Sequence, residues 1–134
     1  MPSLNYYSVQ KAIYERLTGD SQLMSIVSGI FDNVPQDQQF PFITIGNTSS
    51  SEIANLGGDG TEQRININIW SREAGHKQVG DIMDIVYKLL HNSTLFISGK
   101  NIVAIRFISN AIQLEDDGWT YHGSMNLLVI VMDS

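Results

Sequence analysis

His76, His91 and His122 are the side chains best suited to acid–base or metal chemistry in this chain, and their spacing serves neither. No two of them stand four apart on a helix face, and none has a neighbouring acid in a ligand pattern, whereas a metal site needs three or four converging ligands. Structural or solvated roles are expected for all three. There is no cysteine, which removes thiolate ligands, thiol nucleophiles and disulfides together and accords with a reducing compartment. Asp81 and Asp84 lie three apart and share a helix face, as a general acid–base pair would. Acids in the N-terminal half of a helix are also what the helix dipole favours, and that reading is the stronger one. Asp116-Asp117 reads as turn chemistry. Gly57-Gly58-Asp59-Gly60 has the glycine density of a phosphate loop but lacks the following Lys and Ser/Thr and opens no helix. Asn47-Thr48-Ser49 and Asn92-Ser93-Thr94 match the glycosylation triplet by chance, since no secretory signal precedes them. No Gly-x-Ser-x-Gly elbow occurs. The chain is therefore expected to be no enzyme, with no catalytic, cofactor-binding or metal-binding residue.

The elements that would hold these residues are organised around Glu62–Arg72. Ile65, Ile67 and Ile69 alternate with Arg64, Asn66, Asn68 and Trp70, the pattern of a half-buried central strand. Before it, residues 4–18 form an amphipathic helix with Tyr6, Val9, Ile13 and Leu17 on one stripe and Ser3 or Asn5 as its cap. Asp20 caps a short helix, Ser21–Val27. An extended piece at Ile30–Val34 and a strand at Phe42–Thr48 follow. Ser49–Thr61, rich in serine and glycine, reads as a long mobile loop or a hairpin with a frayed tip, and such loops are usually functional. After the central strand comes a helix at Lys77–His91, with Val79, Ile82, Met83, Val86, Leu89 and Leu90 on its apolar stripe. A short strand at Thr94–Ser98 and a long one at Asn101–Leu114 lead to a turn at Glu115–Gly118 and a last strand, Trp119–Met132. The sum is one α+β domain over residues 1–134: a mainly antiparallel sheet of about four long strands with helices on one face.

The totals narrow the class. A chain of 134 residues defaults to one domain that buries about two-thirds of its unfolded surface. Charged residues are 16%, below the usual quarter, so part of the surface is suited to being covered by another chain. The net charge of −6 disfavours duplex binding through phosphates, which runs on Lys and Arg. No apolar run approaches the roughly 18 residues of a membrane span. The N-terminus lacks the pattern of a signal peptide, so synthesis in the cytoplasm is expected.

The remaining feature is the polar side of the sheet. Arg64, Asn66 and Asn68 line up with Thr120, His122, Ser124 and Asn126 if the two strands are neighbours. Such a face is either solvated, as is common in antiparallel sheets, or a subunit interface or the wall of an aqueous passage. Amides and hydroxyls satisfy buried hydrogen bonding without charge, which leans toward the interface. A small-ligand or peptide-binding module with a pocket beside Asn66 and Asn68 is the alternative. Ser49, Ser50, Ser51, Glu52, Gly57, Gly58, Asp59 and Gly60 are the candidate docking loop.

Several strings in order carry a resemblance: Ile30-Phe31-Asp32-Asn33-Val34-Pro35-Gln36, Phe40-Pro41-Phe42-Ile43-Thr44-Ile45-Gly46, Ile69-Trp70-Ser71-Arg72-Glu73-Ala74-Gly75 and Asp117-Gly118-Trp119-Thr120-Tyr121-His122-Gly123. Together they resemble the small tail-completion family (tail terminator or tail-to-head joining proteins) of long-tailed phages, prophages and gene transfer agents. Phe42 stands where the family usually has Tyr. The resemblance implies a non-enzymatic virion protein that forms a ring, commonly a homohexamer, at the head-proximal end of the tail. It ends tube polymerisation, meets the tail tube protein and the head-tail connector, and passes DNA through its lumen without specific binding. Assembly is expected in the bacterial host cytoplasm. No site residue is carried over from the family. A ring of such chains would be strongly acidic, which suits a conduit for a sliding polyanion.

Overall fold

The computed structural model describes residues 6–52, 60–93, 95–97 and 100–133. Helix α1 (Tyr6–Thr18) buries Val9, Ala12, Ile13 and Leu17 at helical offsets. Tyr6, expected on that stripe, is instead 38% exposed at the helix start, where its hydroxyl accepts a bond from Ser50 Oγ at 3.2 Å. The expected caps Ser3 and Asn5 lie outside the described residues. Helix α2 (Ser21–Ile26) starts as anticipated, with Asp20 Oδ2 accepting from the Leu23 N–H at 2.8 Å. So short a helix needs tertiary support, and the fully buried Leu23 supplies it.

Strands β1 (Ile30–Phe31), β2 (Phe42–Glu52) and β3 (Gly60–Ser71) precede helix α3 (Lys77–Leu90), and β4 (Phe96–Ile97), β5 (Lys100–Leu114) and β6 (Tyr121–Asp133) follow it. The sheet order is β1-β2-β3-β6-β5-β4, with only the β1–β2 pair parallel. The α+β reading holds, with four long strands and two more at the rims. The extended piece and short strand expected there contribute two paired residues each, too few to show a period.

Of the two readings of Ser49–Thr61, the long loop is corrected at both ends and the paired ends agree with the hairpin. Strand β2 continues to Glu52 and β3 begins at Gly60, with Ser49 opposite Arg64 and Glu52 opposite Thr61. Serines are weak strand formers alone, but the ladder with β3 satisfies their backbone. Gly57, Gly58 and Asp59 lie outside the described residues.

The helices cover one side of the sheet. Ile65, Ile67 and Ile69 join Ile43, Met125, Leu127, Val129 and Ile105 beneath Val79, Ile82 and Val86 of α3. Each of those fully buried side chains contributes about 1.5–3 kcal/mol. Gly123 lets α3 settle on β6: a Cβ there would lie 2.8 Å from both Met83 Sδ and Val79 Cγ2. Register shifts between Ile45 and Thr48, Ile102 and Ala104, and Phe107 and Ser109 bend the long strands. The last shift returns Ile112 to the core side, while Ile108 is left 46% exposed.

Candidate functional site

The side of the sheet away from the helices holds most of the residues singled out from sequence. β3 and β6 are neighbours, with Asn66 opposite Asn126, Asn68 opposite Ser124 and Trp70 opposite His122. Arg64 stands apart, opposite Leu128, and its guanidinium pairs with Glu62 at 2.9 Å. Thr120, expected to continue the face, belongs to the preceding turn and is 5% exposed. Asp117 accepts from its hydroxyl at 2.6 Å and from its N–H at 2.8 Å.

The grouped side chains form a single relay. Glu115 Oε1 lies 2.9 Å from His122 Nδ1, and His122 Nε2 lies 2.5 Å from Asn68 Oδ1. Asn68 Nδ2 donates to Asn66 Oδ1 at 2.7 Å. Asn66 Nδ2 donates to Ser124 Oγ at 2.8 Å and to Asn126 Oδ1 at 3.1 Å, and Asn126 Nδ2 donates to Ser109 Oγ at 3.1 Å. With its amide N–H turned to Asn66, Asn68 offers His122 an acceptor, so His122 Nε2 is a donor. The Trp70 ring lies flat on the His122 ring at 4.0 Å and 6°, and its Nε1 donates to Thr44 Oγ1 at 3.1 Å. Gly46, in the β2 register shift, leaves the amides their space: a Cβ would come within 2.6 Å of Asn68 Nδ2 and 2.7 Å of Asn66 Oδ1.

One end of this face is closed by a clamp. The Arg72 guanidinium lies between the rings of Phe40 (4.2 Å) and Trp119 (4.0 Å), and its Nε donates to Thr120 Oγ1 at 3.1 Å. Bonds from the Thr120 hydroxyl and N–H, and from the Trp119 N–H, lower the Asp117 carboxyl to about 2.

The remaining candidates of the sequence are engaged in structural contacts. Ser124 Oγ accepts from Asn66, while both His122 nitrogens are engaged by Asn68 and Glu115. His76 meets the Tyr121 ring edge-on, and His91 Nδ1 accepts from the Phe107 N–H on the rim of β5. Asp81 pairs with Lys77 at 2.7 Å on the exposed side of α3, where Asp84 is also exposed. Among the described residues no three His, Asp or Glu converge as a metal site, and no helix is long and apolar enough to cross a membrane. A shallow hollow of about 160 Å³ lies elsewhere, between Tyr7, Lys11 and Tyr14 of α1 and Asp32 and Ile45. Glu115 and Ser109 complete the relay, Trp70 stacks on it and Gly46 makes room for it, and none of the four is a candidate from sequence. The strict alternation of β3 did place Trp70 on this side, but a register shift has no sequence period to reveal it.

Comparison with known proteins gives one coherent answer. The sequence profile of the family described as tail completion protein gp17 matches residues 11–132. The tail completion protein gp17 of Bacillus phage SPP1 is 25% identical over 116 residues, covering 87% of this chain and 86% of that protein. A chain from the virion of a native gene transfer agent particle superposes with a TM-score of 0.88 at 15% identity, covering 98% of this chain and 99% of that one. The structure of the SPP1 gp17 protein superposes with a TM-score of 0.67 at 23% identity, covering 98% and 93%. These two superpositions establish the shared fold.

Proposed function

The chain belongs to the tail completion protein gp17 family, structural tail proteins of phage and phage-like particles, and we propose that it acts as a closed ring of identical copies, six in number, at the head-proximal end of the tail. There it ends tube polymerisation, binds the tail tube protein on one side and the head connector on the other, and surrounds the path of the DNA. The observation that carries this reading is the sheet face that no helix covers among the described residues, with its amides tied to one another. A protein that binds duplex DNA presents free Lys and Arg to the phosphates. On this face Arg64 pairs with Glu62 and the Asn66, Asn68 and Asn126 amides donate to neighbours, which leaves Arg106, exposed on the other side of Leu128, as a cation with no ion pair among the described residues. A wall of this kind lets a polyanion pass without holding it. The segment between β2 and β3, around Gly57, Gly58 and Asp59, is one docking element in this reading, and its shortening leaves the protein folded but heads and tails unjoined.

Deletion of the gene in a producing strain tests the role. The expected particles are full heads without tails, or free tails of uncontrolled length, both restored by expression in trans. Joined particles with tails of normal length in the deletion strain would overturn it.

A further inference from the structure

The two rims of the sheet are open over different halves of their length. β1 covers β2 only at Ile43 and Thr44, and β4 covers β5 only at Lys100 and Asn101. Next to β4, the end of α3 takes the outward groups of β5: the Asn92 N–H donates to the Ile105 carbonyl at 2.9 Å, and the Phe107 N–H donates to His91. Among the described residues no strand covers β2 from Thr48 to Glu52 or β5 from Ser109 to Leu114. Because Glu115 N–H bonds inward to Thr120, the alternation turns the backbone groups of Asn110, Ile112 and Leu114 outward. Monomeric proteins protect such rims with Lys, Pro or inward charges. Ser109-Asn110-Ala111-Ile112-Gln113-Leu114 contains none of these, and Thr48-Ser49-Ser50-Ser51-Glu52 contains only its terminal acid. Leu114 and Trp119, 47% and 57% exposed, lie at the end of the same β5 rim.

We propose that residues Thr48–Glu52 of one copy pair with Ser109–Leu114 of the next copy, so that the sheets of the ring join into one closed barrel. This seam rests on the ring reading above and specifies how the ring closes. Strand direction allows it: β2 and β5 run in opposite senses, so identical copies in a circle meet antiparallel, all with the amide face on one side. The heights also fit. Ser50 is level with Gln63, Val129 and Ile105, whereas Ile112 is level with Gly123, six register steps from Val129. Six steps of about 3.4 Å are about 20 Å along the strands, and four strand spacings of about 4.8 Å are about 19 Å across them. Joining the open halves therefore tilts the strands by about 46°, close to the roughly 35–45° of closed barrels. Six copies at that tilt give a backbone diameter of about 50 Å, ample for a duplex inside. β1 and β4 flank the seam and do not block it. Two edges that match each other in sense and offset select a second copy of this chain as the occupant.

Paired cysteines test the seam in a chain that has none of its own. With Ser50 opposite Ile112, Ser51 faces Ala111, and both are exposed. Ser51→Cys with Ala111→Cys, oxidised on assembled tails, should give a covalent ladder of copies, whereas Ser51→Cys with Ala104→Cys, which are level within one copy, should give none. Asn110→Pro, which deletes only an outward N–H, should keep the native circular dichroism and thermal melt but fail to complete tails. Rings visible on tails, with cross-links absent at Ser51/Ala111 or present at Ser51/Ala104, overturn the seam and leave the ring standing. Asn110→Pro completing tails normally also overturns the seam. Tails that carry this protein without any ring overturn the parent reading and the seam with it.

Discussion

Asn68 is the middle of the relay, and its replacement by alanine exposes how much the relay contributes. The side chain is 9% exposed and makes two bonds, from His122 Nε2 and to Asn66 Oδ1. Each bond has a net value of about 0.5–1.5 kcal/mol, and an acceptor left unpaired in a buried site costs about 1–3 kcal/mol. His122 and Asn66 are only half-buried, so water recovers part of the loss. Asn68→Ala is therefore expected to cost about 2–3 kcal/mol, whereas Asn126→Ala at the exposed end of the relay costs about 0.5 kcal/mol or less. With a urea slope of about 1.5–2 kcal/mol/M for a domain of this size, the first change lowers the midpoint by about 1–2 M. Combined with His122→Ala, it should show a coupling of about 1 kcal/mol in a double-mutant cycle. Equal midpoint shifts for Asn68→Ala and Asn126→Ala, or a coupling of zero, would refute the relay as a cooperative unit.

Three further outcomes follow from neighbouring contacts. Gly46→Ala drives a Cβ into the Asn66 and Asn68 amides and is expected to cost about 1–3 kcal/mol in the same urea titration, a loss that a second change, Asn68→Ala, partly relieves. Arg72→Ala opens the stack between Phe40 and Trp119 and leaves Thr120 without its guanidinium donor; a loss of about 1–2 kcal/mol is expected, with Trp119 fluorescence shifting toward that of a solvated indole, and an unchanged spectrum would contradict it. The Asp117 carboxyl titrates near 2 in the folded protein against about 3.9 when unfolded, so its bonds stabilise fully above about pH 4 and lose that effect as the pH falls toward 2. The difference in thermal midpoint between wild type and Asp117→Asn should therefore shrink from pH 5 to pH 2, and a difference that grows on acidification would contradict the assignment.

The periodic parts of the fold were legible from the sequence, and the parts set by long-range pairing were not. Ile65, Ile67 and Ile69 alternate strictly because one side of β3 lies under helices, and that alternation alone placed Asn66 and Asn68 together on the other side. Asp20 announced α2 because a capping carboxylate acts within three residues. By contrast, Ser49–Glu52 is strand only through its pairing with β3, and local composition leaves a loop and a hairpin equally open there. Glu115 joined the relay because a tight turn sets it beside His122, and Ser109 because a register shift turns it toward Asn126. Arg72 found its two aromatic neighbours in segments 32 and 47 residues away in the chain (72 − 40 and 119 − 72), a contact no local pattern encodes.

In the proposed ring the amide side of the sheet faces inward. Cryo-electron microscopy of tails assembled with this protein, reconstructed at the head-proximal end, tests it directly. A closed ring with Asn66, Asn68 and Asn126 lining the lumen and α1 and α3 on the outside is expected. A ring with the helices lining the lumen, or a single copy seated on the tail end, would contradict it.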